Sequence, residues 1–215
     1  MSDLLFTVTD VSPEPYAAAP NLSARLRIDE TSGETVHAIA LRCQVKIEPQ
    51  KRRYTDAEAA GLLDLFGPRD RWKATLRSVL WMHATTMVQG FTGTREVDLP
   101  LPCTYDFEVS ACKYLHALDE SGAPIPLEFL FSGTVFTKGE NGFSVAQVPW
   151  DRQAAYDMPV GAWHELMQAH FPNSGWLRLS HDTIAALAQY KSDRGLLSME
   201  DAVEQLLAYV REVST

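Results

Sequence analysis

The sequence predicts a mainly β protein with α: an antiparallel β-sandwich of about seven strands, one inserted helix, and a C-terminal helical segment of about three helices. Apolar and polar residues alternate over much of Phe6 to Val148, the period of strands with one buried face. Turn-forming clusters such as Ser32-Gly33, Asp119 to Pro124 and Gly139 to Gly142 separate these runs. After Trp150 the apolar spacing becomes helical. The expected domains are therefore a sandwich over 1–150, with the inserted helix near 55–66, and a helical segment over 151–215 packed on it.

Leu22, Ala24, Leu26 and Ile28 alternate with Ser23, Arg25 and Arg27, and so describe a strand with an apolar inner face. In the next strand His37, Ile39, Leu41, Cys43, Val45 and Ile47 share one face, while Arg42, Gln44, Lys46 and Glu48 share the other. Thr55 and Glu58 form a capping-box pattern; Leu62, Leu63 and Phe66 give an apolar stripe, and Gly67-Pro68 stops the helix. Val97, Leu99 and Leu101 alternate again, with Pro100 and Pro102 assigning that strand to a sheet edge, since proline cannot donate to a ladder.

Asp106 to Leu118 and Ile125 to Thr137 read as a long hairpin across Asp119–Pro124. Phe107, Ala111, Tyr114, Leu115 and Leu118 also fit a helix, but Leu127, Phe129, Phe131 and Val135 call for a strand partner, which favours the hairpin. Phe143 to Val148 closes the sheet. The C-terminal stripes are Trp163, Leu166, Met167 and His170, then Ile184, Leu187 and Ala188, then Val203, Leu206, Leu207 and Val210. Ser180 and Ser198 are expected N-caps, with Pro172 to Gly175 and Gly195 as the separators.

With 46% hydrophobic and 22% charged residues, the 215-residue chain has the composition of a folded protein able to bury its own core. A net charge of −9 argues against nucleic acid or an anionic membrane as partner. The start, Met1 to Phe6, lacks a basic, apolar leader, and no stretch approaches the ~20 apolar residues of a membrane span; a cytoplasmic location is expected. Cys43, Cys103 and Cys112 make an odd set with no CxxC, which points to reduced, packed thiols.

The catalytic patterns fail one by one. His164-Glu165 with His170 has a spacing of six where two zinc ligands on a helical face need four. Cys112 and His116, helped by Cys43 or Cys103, are the metal candidates, yet on a strand two residues four apart are separated by roughly 13 Å. Ser110 and Lys113 match SxxK without the helix start and oxyanion hole that dyad needs. There is no GxSxG elbow, no phosphate-binding P-loop and no GxGxxG. The expectation is a protein that is not an enzyme and carries no cofactor. From Arg42 to Arg77 there are nine basic residues against five acidic ones, with Tyr54 and Trp72 among them and Trp81 just beyond. Arg52, Arg53, Arg71 and Trp72 in that region, and Trp163, Met167 and His170 on the helical stripe, are the candidate partner-binding residues, because arginine and aromatic groups are favoured at interface cores.

Several stretches carry a resemblance: Pro13 to Pro20 (PEPYAAAP), Val36 to Gln44 (VHAIALRCQ), Cys103 to Val109 (CTYDFEV), Leu130 to Phe136 (LFSGTVF) and Phe171 to Trp176 (FPNSGW). From about Leu5 to Lys191 the chain resembles the uncharacterised bacterial family known as domain of unknown function 6084. The resemblance implies similarity to proteins encoded beside actinobacterial-type uptake [NiFe]-hydrogenases, and offers no catalytic residues to carry over. What it implies is a non-catalytic accessory or interaction protein whose partner is a [NiFe]-hydrogenase subunit or maturation factor. A metal-handling protein for Ni, Fe or Zn, using its Cys and His residues, and a small-ligand-binding sandwich are the alternatives.

Overall fold

The computed structural model describes residues 3–104, 110–139, 142–175 and 178–213. The sandwich is present as two antiparallel sheets. In the first, β1 (Leu4–Pro13), β2 (Asn21–Glu30) and β5 (Thr94–Pro102) run in the order β1-β2-β5. In the second, β4 (Val79–Thr92), β3 (Thr35–Ile47) and β6 (Ile125–Gly139) are consecutive neighbours. The far edge of β6 is shared: β8 (Gln153–Met158) pairs with its first half and β7 (Gly142–Gln147) with its second. Eight strands are thus described where about seven were expected.

Alternation translates directly into burial. Leu22, Ala24, Leu26 and Ile28 are wholly buried on β2, as are Ile39, Val45 and Ile47 on β3. Phe6 from the first sheet stacks on Phe131 from the second at 4.4 Å between ring centroids, and Phe129 continues the stack at 6.5 Å from Phe131. Cys43 lies in this core, as its place in the β3 pattern requires. The edge position expected from Pro100 and Pro102 holds: β5 hydrogen-bonds to β2, with Pro100 opposite Ser23.

Four expectations are corrected. His37 is exposed and Val36 is buried in its place, because the β3–β6 register shifts between Val36 and Ala38 and a bulge turns side chains to the other face. The segment read as the first arm of a hairpin is a helix from Ser110 to His116 that buries Ala111, Cys112, Tyr114 and Leu115; Asp106 to Val109 lie outside the described residues. Helical spacing prevails here because β6 already has β3 on one side and β7 and β8 on the other. Residues 153–158, expected to be helical, form the short strand β8. The inserted helix proves to be several short pieces, α1 (Asp56–Gly61), α2 (Leu63–Phe66) and α3 (Trp72–Thr75), followed in chain order by α4 (Ser110–His116) and α5 (Val160–His170).

The chain divides into two compact units, Met1–Trp176 and Leu177–Thr215, rather than at 150. β8 and α5 belong to the first, where α5 buries Val160, Trp163, Leu166 and Met167. The second holds α6 (His181–Asp193) and α7 (Met199–Val213). Both predicted caps are made: Thr183 N donates to Ser180 Oγ at 3.2 Å, and Asp201 N to Ser198 Oγ at 3.0 Å. Gly195, at φ +64°, ends α6, and Tyr190 donates to Gln205 at 3.0 Å between the two helices.

Candidate functional site

Between β3 and β4 the chain leaves the sheet to build a helical insertion, with 3-10 turns at Pro49–Lys51 and Arg69–Arg71 flanking α1 and α2, and α3 completing it. The Thr55/Glu58 capping box is formed on both sides, Glu58 N donating to Thr55 Oγ1 at 3.2 Å and Thr55 N to Glu58 Oε2 at 2.8 Å. The other carboxylate oxygen of Glu58 accepts from Arg52 Nη2 at 2.7 Å and from Asp119 N at 3.0 Å. Arg52 also donates through Nε to the Ala123 carbonyl at 2.8 Å and lies 5.0 Å from the Tyr54 ring centroid. Its side chain is fully buried, and that of Glu58 nearly so.

Burial alone would raise the Glu58 pKa, but the hydrogen bonds from Arg52, Thr55 and Asp119 outweigh it and bring the carboxyl down to about 2. Beside the pair, Tyr54 donates to the Pro49 carbonyl at 2.7 Å, and its oxygen stands 2.9 Å from the Tyr114 hydroxyl on α4. Burial pushes the Tyr54 phenol up to about 12 and raises that of Tyr114 as well. Gly122 closes the site: a Cβ there would stand 2.7 Å from Arg52 Nη2 and 2.8 Å from Glu58 Oε1. The insertion is therefore pinned to the 119–123 segment and to α4 by one buried ion pair and the hydrogen bonds around it.

This placement corrects the reading of Arg52 as a surface docking residue, since its guanidinium is consumed inside the fold. Arg53 and Arg71 are exposed. Trp72 is half-buried, donates from Nε1 to the Gly67 carbonyl at 2.8 Å and meets Tyr54 edge-on at 5.1 Å. Arg69 covers the Trp72 ring at 5.5 Å and pairs with Asp56 at 3.0 Å.

The second feature is a cleft of about 580 Å³ at the end of α4, bounded by α5 and the turn over residues 171–175. Trp163 and Met167 are buried and form its floor with half-buried Phe171, so the expected Trp163/Met167 docking stripe is corrected to the base of a depression. Trp163 is held edge-on by Trp81 at 6.2 Å. His170 is half-buried beside the Phe171 ring, 6.5 Å away between centroids, and is absent from the lining. The rim is polar: His116, His164, Gln168, Asn173 and Ser174. His164 Nδ1 sits 2.9 Å from Glu120 Oε1, while burial, and then the neighbouring His164, lower the His116 pKa. Asn173 adopts φ +52°, a conformation Asn tolerates better than most residues, and the turn it makes shapes the cleft wall.

The thiols are set for packing. Burial raises Cys43 and Cys103 to about 12, so both are protonated at neutral pH, the state in which a thiol packs as a small apolar group. Cys112 donates to the Thr104 carbonyl at 2.8 Å. Because α4 is a helix, Cys112 and His116 share one side of it instead of standing far apart along a strand, yet Cys112 is buried and His116 borders the cleft. Among the described residues no group of three or more His, Cys, Asp or Glu could hold a metal ion. Ser110 opens α4, so the SxxK spacing does fall on a helix, but Lys113 is spent on Asp64 at 3.2 Å.

Sequence reasoning found Glu58 only as a cap and missed its second role; Arg52, six residues upstream in a segment with no strand period, was the available signal. The His164–Glu120 contact had none, because its partners are 44 positions apart.

A two-sheet antiparallel sandwich with a pinned helical insertion and an open cleft, followed in the chain by a helical hairpin, defines a mainly β protein with C-terminal helices. The chain belongs to the family of unknown function DUF6084, whose family model matches residues 1–215. The family pattern thus runs past Lys191 through α7. Among solved structures, a late embryogenesis abundant (LEA) protein is similar at 10% identity and a TM-score of 0.29, over 73% of this chain and 72% of that one. A β-glucosidase from Kluyveromyces marxianus is similar at 10% identity and a TM-score of 0.26, over 73% of this chain. β-Glucosidase 3B from Thermotoga neapolitana is similar at 12% identity and a TM-score of 0.24, also over 73% of this chain. The chain spans 15% and 17% of the two glucosidases. No curated protein matches it. Among the described residues no helix is long and apolar enough to cross a membrane.

Proposed function

We propose that this protein is a non-catalytic, cytoplasmic accessory protein that binds a protein partner through the cleft beside α5, the partner being a subunit or maturation factor of a [NiFe]-hydrogenase. The cleft carries the reading: an apolar floor of Met167 and Phe171 encircled by His164, Gln168, Asn173 and Ser174 has the arrangement of apolar centre and polar rim that protein interfaces use. The hydrogenase association rests on the resemblance of the PEPYAAAP, VHAIALRCQ and FPNSGW segments.

The test is affinity isolation of the tagged chain from its native host under hydrogenase-inducing conditions, beside Ser174→Trp, which fills the cleft from its exposed rim. Hydrogenase subunits or maturation factors recovered with the wild type and lost with the variant are the expected result. Equal recovery with both would remove the cleft from the account, and a partner-free protein carrying stoichiometric metal would favour the metal-handling alternative.

A second reading draws on the cleft's size, since about 580 Å³ falls within the range of small-molecule sites. Stabilisation of the isolated protein by a small ligand, abolished by Ser174→Trp, would favour it.

A further inference from the structure

The helical insertion presents a second surface, separate from the cleft. Arg53, Arg71, Lys73 and Arg77 are all exposed on it, and none of the four is ion-paired among the described residues. Three of its acids are paired, Asp56 with Arg69 at 3.0 Å, Asp64 with Lys113 at 3.2 Å and Glu58 with Arg52 at 2.7 Å; the carboxylates of Asp56 and Asp64 stay open to solvent, as does Asp70 on the same turns as Arg71. Over residues 48–78, between β3 and β4, seven basic residues stand against five acidic in a chain of net charge −9, so the insertion is basic on an acidic molecule.

The scaffold beneath these cations is rigid without being regular. Arg69 binds the Tyr54 and Thr55 carbonyls at 3.1 and 2.6 Å, Trp72 binds the Gly67 carbonyl at 2.8 Å, and Thr75 binds the Phe66 carbonyl at 2.7 Å. The Arg69 bonds hold the 53–55 strip against the turn over 69–71, which carries Arg53 beside the turn bearing Arg71, while the Trp72 and Thr75 bonds tie 72–75 to 66–67. The Arg52–Glu58 pair beneath them is a costly way to gain stability, whereas buried ion pairs are suited to fixing one conformation. A surface loop held this firmly, with the Arg53 and Arg71 guanidinium groups exposed, is organised for recognition.

We infer that the exposed side of the insertion is a docking surface for an acidic segment of another protein, with Arg53, Arg71 and Lys73 as its principal contacts. Guanidinium groups engage carboxylates in two-pronged hydrogen bonds, which suits Asp- and Glu-rich sequence. A long nucleic acid is disfavoured because its phosphates would run past the insertion onto the acidic remainder of the molecule, whereas a short acidic segment need touch only the insertion.

The experiment measures fluorescence anisotropy of a labelled oligoglutamate peptide titrated with the full chain at about 50 and about 300 mM salt, a range across which the screening length shortens markedly. The expected result is saturable binding that weakens at least about tenfold between the two salts and at least about tenfold in Arg53→Glu/Arg71→Glu/Lys73→Glu. Arg25→Glu/Arg27→Glu/Arg95→Glu, an equal change of charge at exposed positions of the first sheet, is expected to change affinity less than about twofold. The milder Arg71→Gln/Lys73→Gln gives an intermediate loss, which guards against a folding defect. Absence of binding, equal losses in the two triple variants, or tighter binding of a single-stranded oligonucleotide of the same charge would each overturn the inference. Ser174→Trp leaves this binding unchanged, so its outcome is independent of the cleft's.

Discussion

The sandwich core is held by apolar packing, whereas the helical insertion adds a buried ion pair to its apolar contacts. The core is apolar and repetitive: Leu22, Leu26, Ile28, Ile39 and Val45 are buried because each strand offers every second residue to the same interior. The insertion sends Leu62 and Phe66 into the same core, but it is also pinned by Arg52 and Glu58, two charges placed out of water and made tolerable by hydrogen bonds to Ala123, Thr55 and Asp119. A pattern of side chains can build the first, whereas the second depends on individual partners and so is far less tolerant of change at any one of them.

That difference can be tested in descending order of effect, with urea unfolding followed by tryptophan fluorescence. Glu58→Ala leaves the Arg52 charge buried and unpaired, and is expected to cost about 3–5 kcal/mol. A loss below about 1 kcal/mol would show that the pair does not organise the insertion. Leu26→Ala removes a wholly buried core side chain and is expected to cost about 3 kcal/mol through lost transfer energy and the cavity left behind. Gly122→Ala places a methyl against Arg52 Nη2 and Glu58 Oε1 and is expected to cost about 1–3 kcal/mol; it sharpens the comparison because alanine elsewhere in an exposed loop is nearly neutral. Tyr54→Phe, which deletes the hydroxyl between Pro49 and Tyr114, is expected to cost about 1 kcal/mol.

How much could be read in advance follows the same division. The β2 and β3 faces, the proline edge of β5 and the caps at Thr55, Ser180 and Ser198 were legible because each depends on a few neighbouring residues. The bulge at Val36 was not, since a register shift depends on the opposing strand. α4 carried both periods in its sequence, and the choice was settled by strands far away in the chain that already occupy both edges of β6. Of the candidate site residues, Arg53 and Arg71 lie at the surface, whereas Arg52, Trp163 and Met167 are interior. Residue type suggests a contact; burial is decided by tertiary partners such as Glu58 and Trp81.

The most direct test of the central claim, that a buried Arg52–Glu58 pair holds the insertion in place, is the stability of the wild type and Glu58→Gln measured from pH 7 down to about 2. The folded-state pKa of Glu58, about 2, lies below its ordinary 4.5. Its contribution is therefore complete above the ordinary value and is lost as pH falls from there toward the folded one. The wild type is expected to lose roughly 3 kcal/mol more than Glu58→Gln across that window, converging on the variant at its acid end. Two profiles that fall in parallel would contradict the account.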